Sequence, residues 1–338
     1  MQNHRSSTHQ NPQKTVSRKS FRTRLLCAAL SVLLLLAAPL ALSSCAKKPV
    51  LGILQFGTHE SLNNCYRGIL DGLAAGGTDV SAYDVRYLNA NFDGDLAATQ
   101  ASTLVNLGAK VIIAIATPTA IAAANASLGN VPVVFCAVTD EGAMKDYSAV
   151  CGASDRPNYQ QTLALVTAFM GREDLNIAVI SHTTESSDAV MISDLRAAAA
   201  AYAGMDIRVR YISEVATIAT VTESMIDDGA DCFLNLLDNT VVGQLDSILA
   251  VTDAYGIPVF GSEIEQVKAG CLAASSIDYN EVGSIAGGMA AAILANEAAP
   301  EALGCRVVSS PTPCYSPAVA QKLGISVPNM VGLVAVEP

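Results

Sequence analysis

Several positions in the 338-residue chain carry side chains able to hold a small polar molecule, and most follow directly on an apolar run. They are Gln55 and His59, Thr117, Thr139 and Asp140, Thr184 to Ser186, Asp238 and Asn239, and Glu263. An amino-acid zwitterion needs donors for its carboxylate and a carboxylate for its ammonium group. Thr117 before Pro118 and Asn239 before Thr240 place a hydroxyl or an amide beside the free N–H groups of a helix start, where the dipole also favours an anion. Thr117 is the expected partner of a ligand carboxylate, and Asp238, supported by Asp140 or Glu263, of an ammonium. Taken singly, each of these residues also fits a plain helix cap. Phe56, Tyr66, Tyr159 and Tyr279 are aromatic side chains able to flank a ring, Phe56 being best placed beside Gln55, although an aromatic residue at a strand end commonly belongs to the core.

Other chemistries find little support. Outside residues 1–44 the histidines are His59 and His182, each following a strand-like run, with Glu60, Glu185 and Asp238 as conceivable further ligands. Without a third histidine or HExxH spacing, no metal site is expected, and His59 is expected to bond a ligand or gate a cleft. There is no GxxxxGK[ST] loop, no GxSxG elbow and no GxGxxG after the first strand, so neither an enzyme nor a cofactor is expected.

The elements that must position these side chains alternate along the chain. Short β-branched runs at 50–56, 84–88, 111–116, 131–138, 177–181, 206–212, 232–236, 259–261 and 272–276 predict strands. Between them, 61–75, 96–107, 119–127, 159–170, 187–203, 241–255 and 281–295 predict helices. Continuous apolar strands separated by helices indicate parallel sheets covered on both faces, an α/β architecture. The plan is also written twice. Gly52 to Ser61 matches Ile177 to Ser186, Ile112 to Thr119 matches Cys232 to Thr240, and Val131 to Phe135 matches Ile257 to Phe260. Two similar doubly wound lobes follow, with the polar residues at the carboxyl ends of the strands, where such sheets bind ligands. Facing each other, the lobes would form a hinged clamp.

Charge divides the chain before any folding argument. It is 51% hydrophobic and 15% charged with a formal net charge of −11. Residues 1–44 hold Arg5, Lys14, Arg18, Lys19, Arg22 and Arg24 and no carboxylate; the remainder has 14 basic against 31 acidic residues, a net −17. So acidic a body is not expected to bind nucleic acid. The basic stretch, the apolar run from Leu25 to Leu42 and the small-residue exit Ser43-Ser44 describe a secretory signal, interrupted as a membrane span by Pro39. Leu42-Ser43-Ser44-Cys45 is similar to the lipobox of bacterial lipoproteins, which implies diacylglyceryl attachment at Cys45 and a lipid-anchored chain on the extracytoplasmic face. Seven cysteines then remain, Cys65, Cys136, Cys151, Cys232, Cys271, Cys305 and Cys314, with no CxxC; Cys305 and Cys314 flank a turn-rich SSPTP and are candidates to pair.

GILQFGTHESL, AIATPTAIAAANAS, VPVVFCAVTD, ASD, LLDNTV, IPVFGSE and SIDYNEVG, in this order over about residues 49–325, resemble the substrate-binding lipoproteins of ABC transporters that include tryptophan- and tyrosine-type uptake systems. The resemblance implies a type I periplasmic-binding fold: two lobes joined by three crossover segments, one small ligand between them, and a permease and an ATPase as partners. The implied division is residues 1–44 as signal, 45–153 with about 278–305 as the first lobe, and 154–277 with about 306–338 as the second. It also places Ser154-Asp155 and Ser276 to Asp278 at crossovers and puts Gln55, Thr117, Thr139, Asp140, Thr184, Ser186, Asp238, Asn239 and Glu263 around the cleft, where His59 would join them. Leu237 stands where the family would have Thr, and Glu263 where it would have Asp, so the ligand is less closely specified than the fold. An aromatic or other apolar amino acid is the expected ligand. The same clamp could serve as a ligand-sensing ectodomain, which would need a second span and a cytoplasmic effector.

Overall fold

The computed structural model describes residues 47–185, 187–308 and 311–337. The signal segment, Cys45 and Ser186 lie outside these residues. Residues 49–338 group as one compact unit, and within it two sheets form.

The first sheet has the order β11-β5-β4-β3-β1-β2 and is parallel throughout. Its strands are β1 (Val50–Gln55), β2 (Asp84–Asn89), β3 (Val111–Ile115), β4 (Val133–Cys136), β5 (Val150–Ser154) and β11 (Cys305–Val307). Alternate side chains of β3 go to different clusters: Val111, Ile113 and Ile115 to one, Ile112 and Ala114 to the other. Both faces are therefore buried, which is why the strand reads as an unbroken apolar run. Helices α1 (Glu60–Ala75), α2 (Gly94–Asn106), α3 (Thr117–Ser127) and α10 (Tyr279–Leu294) belong to this lobe.

The second sheet has the order β13-β12-β10-β9-β8-β6-β7. It contains β6 (Asn176–His182), β7 (Asp206–Ile212), β8 (Cys232–Leu234), β9 (Val259–Gly261), β10 (Ala273–Ser276), β12 (Thr312–Tyr315) and β13 (Val334–Ala335). Helices α4 (Tyr159–Met170), α5 (Asp188–Ala199), α6 (Ile218–Asp227), α7 (Asn239–Val242), α8 (Leu245–Tyr255) and α9 (Ile264–Ala269) lie along this half of the chain, with α11 (Pro300–Leu303) before β11 and α12 (Pro317–Leu323) after β12. Strand β12 runs antiparallel to β10, so this sheet is not wholly parallel. The chain passes between sheets after β5, after β10 and again between β11 and β12.

Some expectations shift in register or kind. The expected 241–255 helix is two, because the first turn, capped by Asp238, ends at Gly243 and a new helix begins at Leu245. Helices α6, α9, α11 and α12 and strands β5, β11, β12 and β13 add elements that the strand-and-helix pattern does not mark. The Cys305–Cys314 pairing is not found. Cys305 is exposed on β11 of the first sheet, Cys314 is buried on β12 of the second, and all seven described cysteines are free thiols. Among the described residues, no helix is long and apolar enough to cross a membrane.

Helices α1 and α10 pack backbone to backbone. A Cβ at Gly68 would lie 2.1 Å from Asn280 O, one at Gly72 2.1 Å from Ser284 O, one at Gly283 2.2 Å from Cys65 O and one at Gly287 2.2 Å from Ile69 O. Glycines four apart on both helices make this approach possible, and it fixes α1, whose first turn borders the cleft, against the helix that leaves the second crossover.

Candidate functional site

Where the carboxyl ends of the two sheets face each other, a cavity is lined by His59, Ser61 and Leu62 after β1, Ala137 and Thr139 after β4, and Asp155 at the first crossover. Leu237, Asn239 and Val242 after β8, Glu263 and Gln266 after β9, and Tyr279 at the second crossover complete it. Five of the residues expected from the sequence are thus brought together: His59, Thr139, Asp155, Asn239 and Glu263.

The others have different work. Gln55 is buried beneath the site and donates from Nε2 to Gly57 O at 2.7 Å and to Asn63 Oδ1 at 3.2 Å. Thr117 is buried in the first turn of α3, away from the cavity lining. Asp140 caps a 3-10 turn by accepting from Gly142 N at 3.1 Å, Ser154 accepts from Arg156 N at 3.3 Å, and Thr184 turns to His182 Nδ1 at 2.8 Å. Asp238 is the main correction. Its Oδ1 accepts from Thr240 N and Val241 N, each at 3.0 Å, and its Oδ2 from His182 N at 2.6 Å, and the Asp188 carboxyl group lies beside it. A carboxylate so fully engaged ties β6 to α7 and has little left for a ligand ammonium.

Two other carboxyl groups, those of Glu263 and Asp155, line the cavity. Glu263 caps α9 by accepting from Glu265 N through Oε2 at 2.8 Å. Its Oε1 is buried without a hydrogen bond, as is the Ser61 hydroxyl beside it. Burial pushes its pKa up to about 7, with the backbone N–H groups and the Ser61 side chain opposing. Asp155 is held between Thr139 Oγ1 at 2.9 Å and the Tyr279 hydroxyl at 2.7 Å, and burial raises its pKa as well. Gln266 supplies the complementary polarity. Its Oε1 accepts from Asn235 Nδ2 at 3.1 Å and from Ser262 N at 3.2 Å, so its Nε2 donor is left buried and unpartnered. The cavity lining therefore holds four buried polar atoms without partners, Glu263 Oε1, Gln266 Nε2, His59 Nδ1 and Ser61 Oγ, each costly to leave unpaired.

Of the aromatic candidates, Tyr279 lines the cavity through its part in the Asp155 bond. Phe56 is core, its ring edge-on to Phe92 at 5.8 Å between centroids. Tyr66 pairs with Tyr87 at 4.9 Å, and Tyr159 is buried outside the cavity lining. Phe92 has no sequence signal beyond its place in the loop Asn89 to Asp93, yet it stacks on His59 at 6.4 Å and 7°. Its backbone is left-handed, with φ 64°, as is that of Asn91, with φ 51°. Gly57 makes room for it: a Cβ there would lie 2.1 Å from a Phe92 ring carbon. The two histidines have separate partners: His182 bonds Thr184 and His59 bonds Asn239. No cluster of three or more His, Cys, Asp or Glu suited to a metal occurs among the described residues.

Hydrogen bonds cross the cleft from lobe to lobe. His59 Nε2 meets Asn239 Oδ1 at 3.3 Å, and Asn64 Nδ2 donates to Glu265 Oε1 at 3.0 Å. The cavity's centre has room for about one water molecule, so the lobes are closed on each other and a larger guest enters only as they part.

Residues 50–337 match the family model described as ABC transporter substrate binding protein. A tyrosine-binding protein of Clostridioides difficile (strain R20291) is 28% identical over 256 residues, 73% of each chain. The structure of an ABC domain in complex with L-Trp from Streptococcus pneumonia superposes with a TM-score of 0.79 at 27% identity, covering 85% of this chain and all of that one. The ligand-free, open structure of a substrate binding protein with adhesive properties from Clostridium difficile gives a TM-score of 0.63 at 25% identity, covering 86% of this chain and 99% of that one. At similar identity, the lower score against the open structure agrees with the closed lobes seen here.

Proposed function

This chain belongs to the ABC transporter substrate binding protein family, and from that premise we propose that it captures one amino acid, aromatic or otherwise apolar, between its lobes for an importer. The observation that carries the reading is that the unpaired buried atoms of the cavity lining include an acceptor and a donor from the segment after β9, Glu263 Oε1 and Gln266 Nε2. An α-ammonium supplies the donor that the first lacks, and an α-carboxylate the acceptor that the second lacks. Asp155, fixed by Thr139 and Tyr279, adds negative potential on the ammonium side. Leu62, Leu237, Val242 and Ala137 give the remaining wall an apolar character suited to a side chain. The similarity to a tyrosine-binding protein and to an ABC domain in complex with L-Trp supports the same ligand class.

Binding, without chemical turnover, is the whole activity in this reading. Ligand between the lobes favours the closed form, whose surface spans both lobes and gives a permease, with its ATPase, a feature to distinguish from the empty form. Processing at Cys45 would hold the protein by lipid on the extracytoplasmic face, where its net −17 charge keeps it soluble beside an anionic membrane.

Calorimetric titration with the twenty amino acids tests the reading. One or more apolar members should bind at one site per chain, and Glu263→Gln should weaken that binding about tenfold to a hundredfold, the cost of losing a charge-assisted bond. Absence of binding by all twenty would remove the amino-acid ligand.

A further inference from the structure

A chain of hydrogen bonds across the cleft settles which nitrogen of His59 carries its proton. Glu185, buried in the second lobe, accepts from Ser187 Oγ at 3.0 Å through one oxygen. Through the other it accepts from Asn239 Nδ2 at 2.9 Å and Asn239 N at 3.3 Å. With its NH2 group committed to Glu185, Asn239 can present only Oδ1 to the opposite lobe, and there it faces His59 Nε2 at 3.3 Å. An oxygen acceptor requires the proton on Nε2. Nδ1 is then a bare lone pair, and it is buried without a partner. Removal from water lowers the pKa of the imidazole to about 4, so the ring stays neutral and Nδ1 stays an acceptor at neutral pH. One face of the ring is backed by Phe92, and His59 lines the cavity.

We infer that His59 selects for ligands whose aromatic side chain carries its own hydrogen-bond donor, a phenol O–H or an indole N–H, received by His59 Nδ1. This rests on the amino-acid reading above, in which Glu263 and Gln266 hold the ammonium and carboxylate and leave the side chain to the other wall. Tyrosine and tryptophan satisfy the lone pair. Phenylalanine leaves it buried and unpaired, and a site built to bond a polar group rejects the analogue that lacks it. Glu185 and Asn239 act through His59 as positioning residues, holding the tautomer that makes Nδ1 an acceptor.

The test is titration of the full chain with tyrosine, tryptophan, phenylalanine and benzothienylalanine, in which sulfur replaces the indole N–H of tryptophan, followed by the same series on His59→Phe and His59→Asn. The native protein should bind tyrosine or tryptophan about tenfold to a hundredfold more tightly than the analogue of the same shape lacking the donor. His59→Phe should abolish that ratio, even if losing the bond to Asn239 weakens every ligand alike. His59→Asn, with an amide oxygen near the former Nδ1 position, should keep part of it. The analogue comparison on the native protein needs no variant, so the test survives a variant that does not fold. Equal affinities for each donor–analogue pair, or an unchanged ratio in His59→Phe, would overturn the inference while leaving an amino-acid receptor intact. Failure of all four ligands to bind would overturn this inference through the aromatic ligand it requires, and only failure of all twenty amino acids would remove the broader reading.

Discussion

Adding one methyl group at Gly287, and separately at its neighbour Gly288, should change stability in opposite directions. A Cβ at Gly287 would lie 2.2 Å from Ile69 O, 2.9 Å from Leu73 N and 3.0 Å from Gly72 Cα, all backbone atoms of α1. None can rotate away, so restoring an ordinary contact of 3.4 Å to the carbonyl requires α1 and α10 to separate by about 1.2 Å. A gap approaching that size forfeits up to about half of the dispersion between the facing surfaces, which puts the substitution near the upper end of overpacking costs, about 3 kcal/mol. At Gly288 the new Cβ meets nothing within 4 Å, and alanine in place of glycine within a helix gains about 0.5–1 kcal/mol. With the entropy of unfolding of a chain this size, about 2 °C of melting temperature corresponds to each kcal/mol. Thermal denaturation followed by circular dichroism should place Gly287→Ala about 6 °C below the native protein and Gly288→Ala about 1–2 °C above it. Equal stability of the two variants, or a Gly287→Ala protein as stable as the native one, would refute the backbone packing of α1 on α10.

Two further outcomes concern the site. Free Glu263 holds a proton below its raised pKa of about 7, whereas a ligand ammonium needs the anion, so binding below that pH releases a proton. Affinity should therefore fall by up to about tenfold per unit as pH drops below about 7 and level off above it, and Glu263→Gln should flatten the profile; a native profile level from pH 5 to 8 would contradict the pairing. Gly57→Ala should displace the Phe92 ring that its Cβ would meet at 2.1 Å and unseat the stack on His59. The loss is worth about 1 kcal/mol, or about fivefold in the affinity for an aromatic ligand; titration giving native affinity would show that the ring does not support His59.

The fold is legible where a buried strand is a run of large apolar residues; β5, buried but built of Cys151, Gly152, Ala153 and Ser154 after Val150, gives no such run. Runs such as Ile112 to Ala116 announce themselves through unbroken apolar residues, and the doubled plan predicts two lobes. Elements near the end of the chain were harder, because β11 and β12 are three and four residues long and β11 is exposed. Helix α6 escaped notice among small and polar residues, although Ile218, Thr222 and Met225 form its buried stripe. Loop positions at strand ends include His59, Thr139, Asp155, Asn239 and Glu263, which share one cavity lining, but residue type alone does not separate a cap from a ligand group. Asp238 and Glu263 both cap helices; one carboxylate is saturated by backbone N–H groups, and the other keeps an oxygen free. Gln266 lies inside a short helix, and its exposed polarity in sequence gives no hint that Asn235 and Ser262 turn its amide donor toward the cavity. Phe92 depends on a left-handed loop backbone and on the missing side chain of Gly57, neither of which leaves a periodic trace.

The central claim is that the closed cleft is an amino-acid site, and the most direct measurement is the identity of what the protein carries. Protein purified from its producing cells without added ligand should release, on denaturation, an aromatic or other apolar amino acid in up to one equivalent per chain, identified by mass spectrometry. Recovery of a sugar, a nucleoside or another ligand without paired ammonium and carboxylate groups at that stoichiometry would contradict the account.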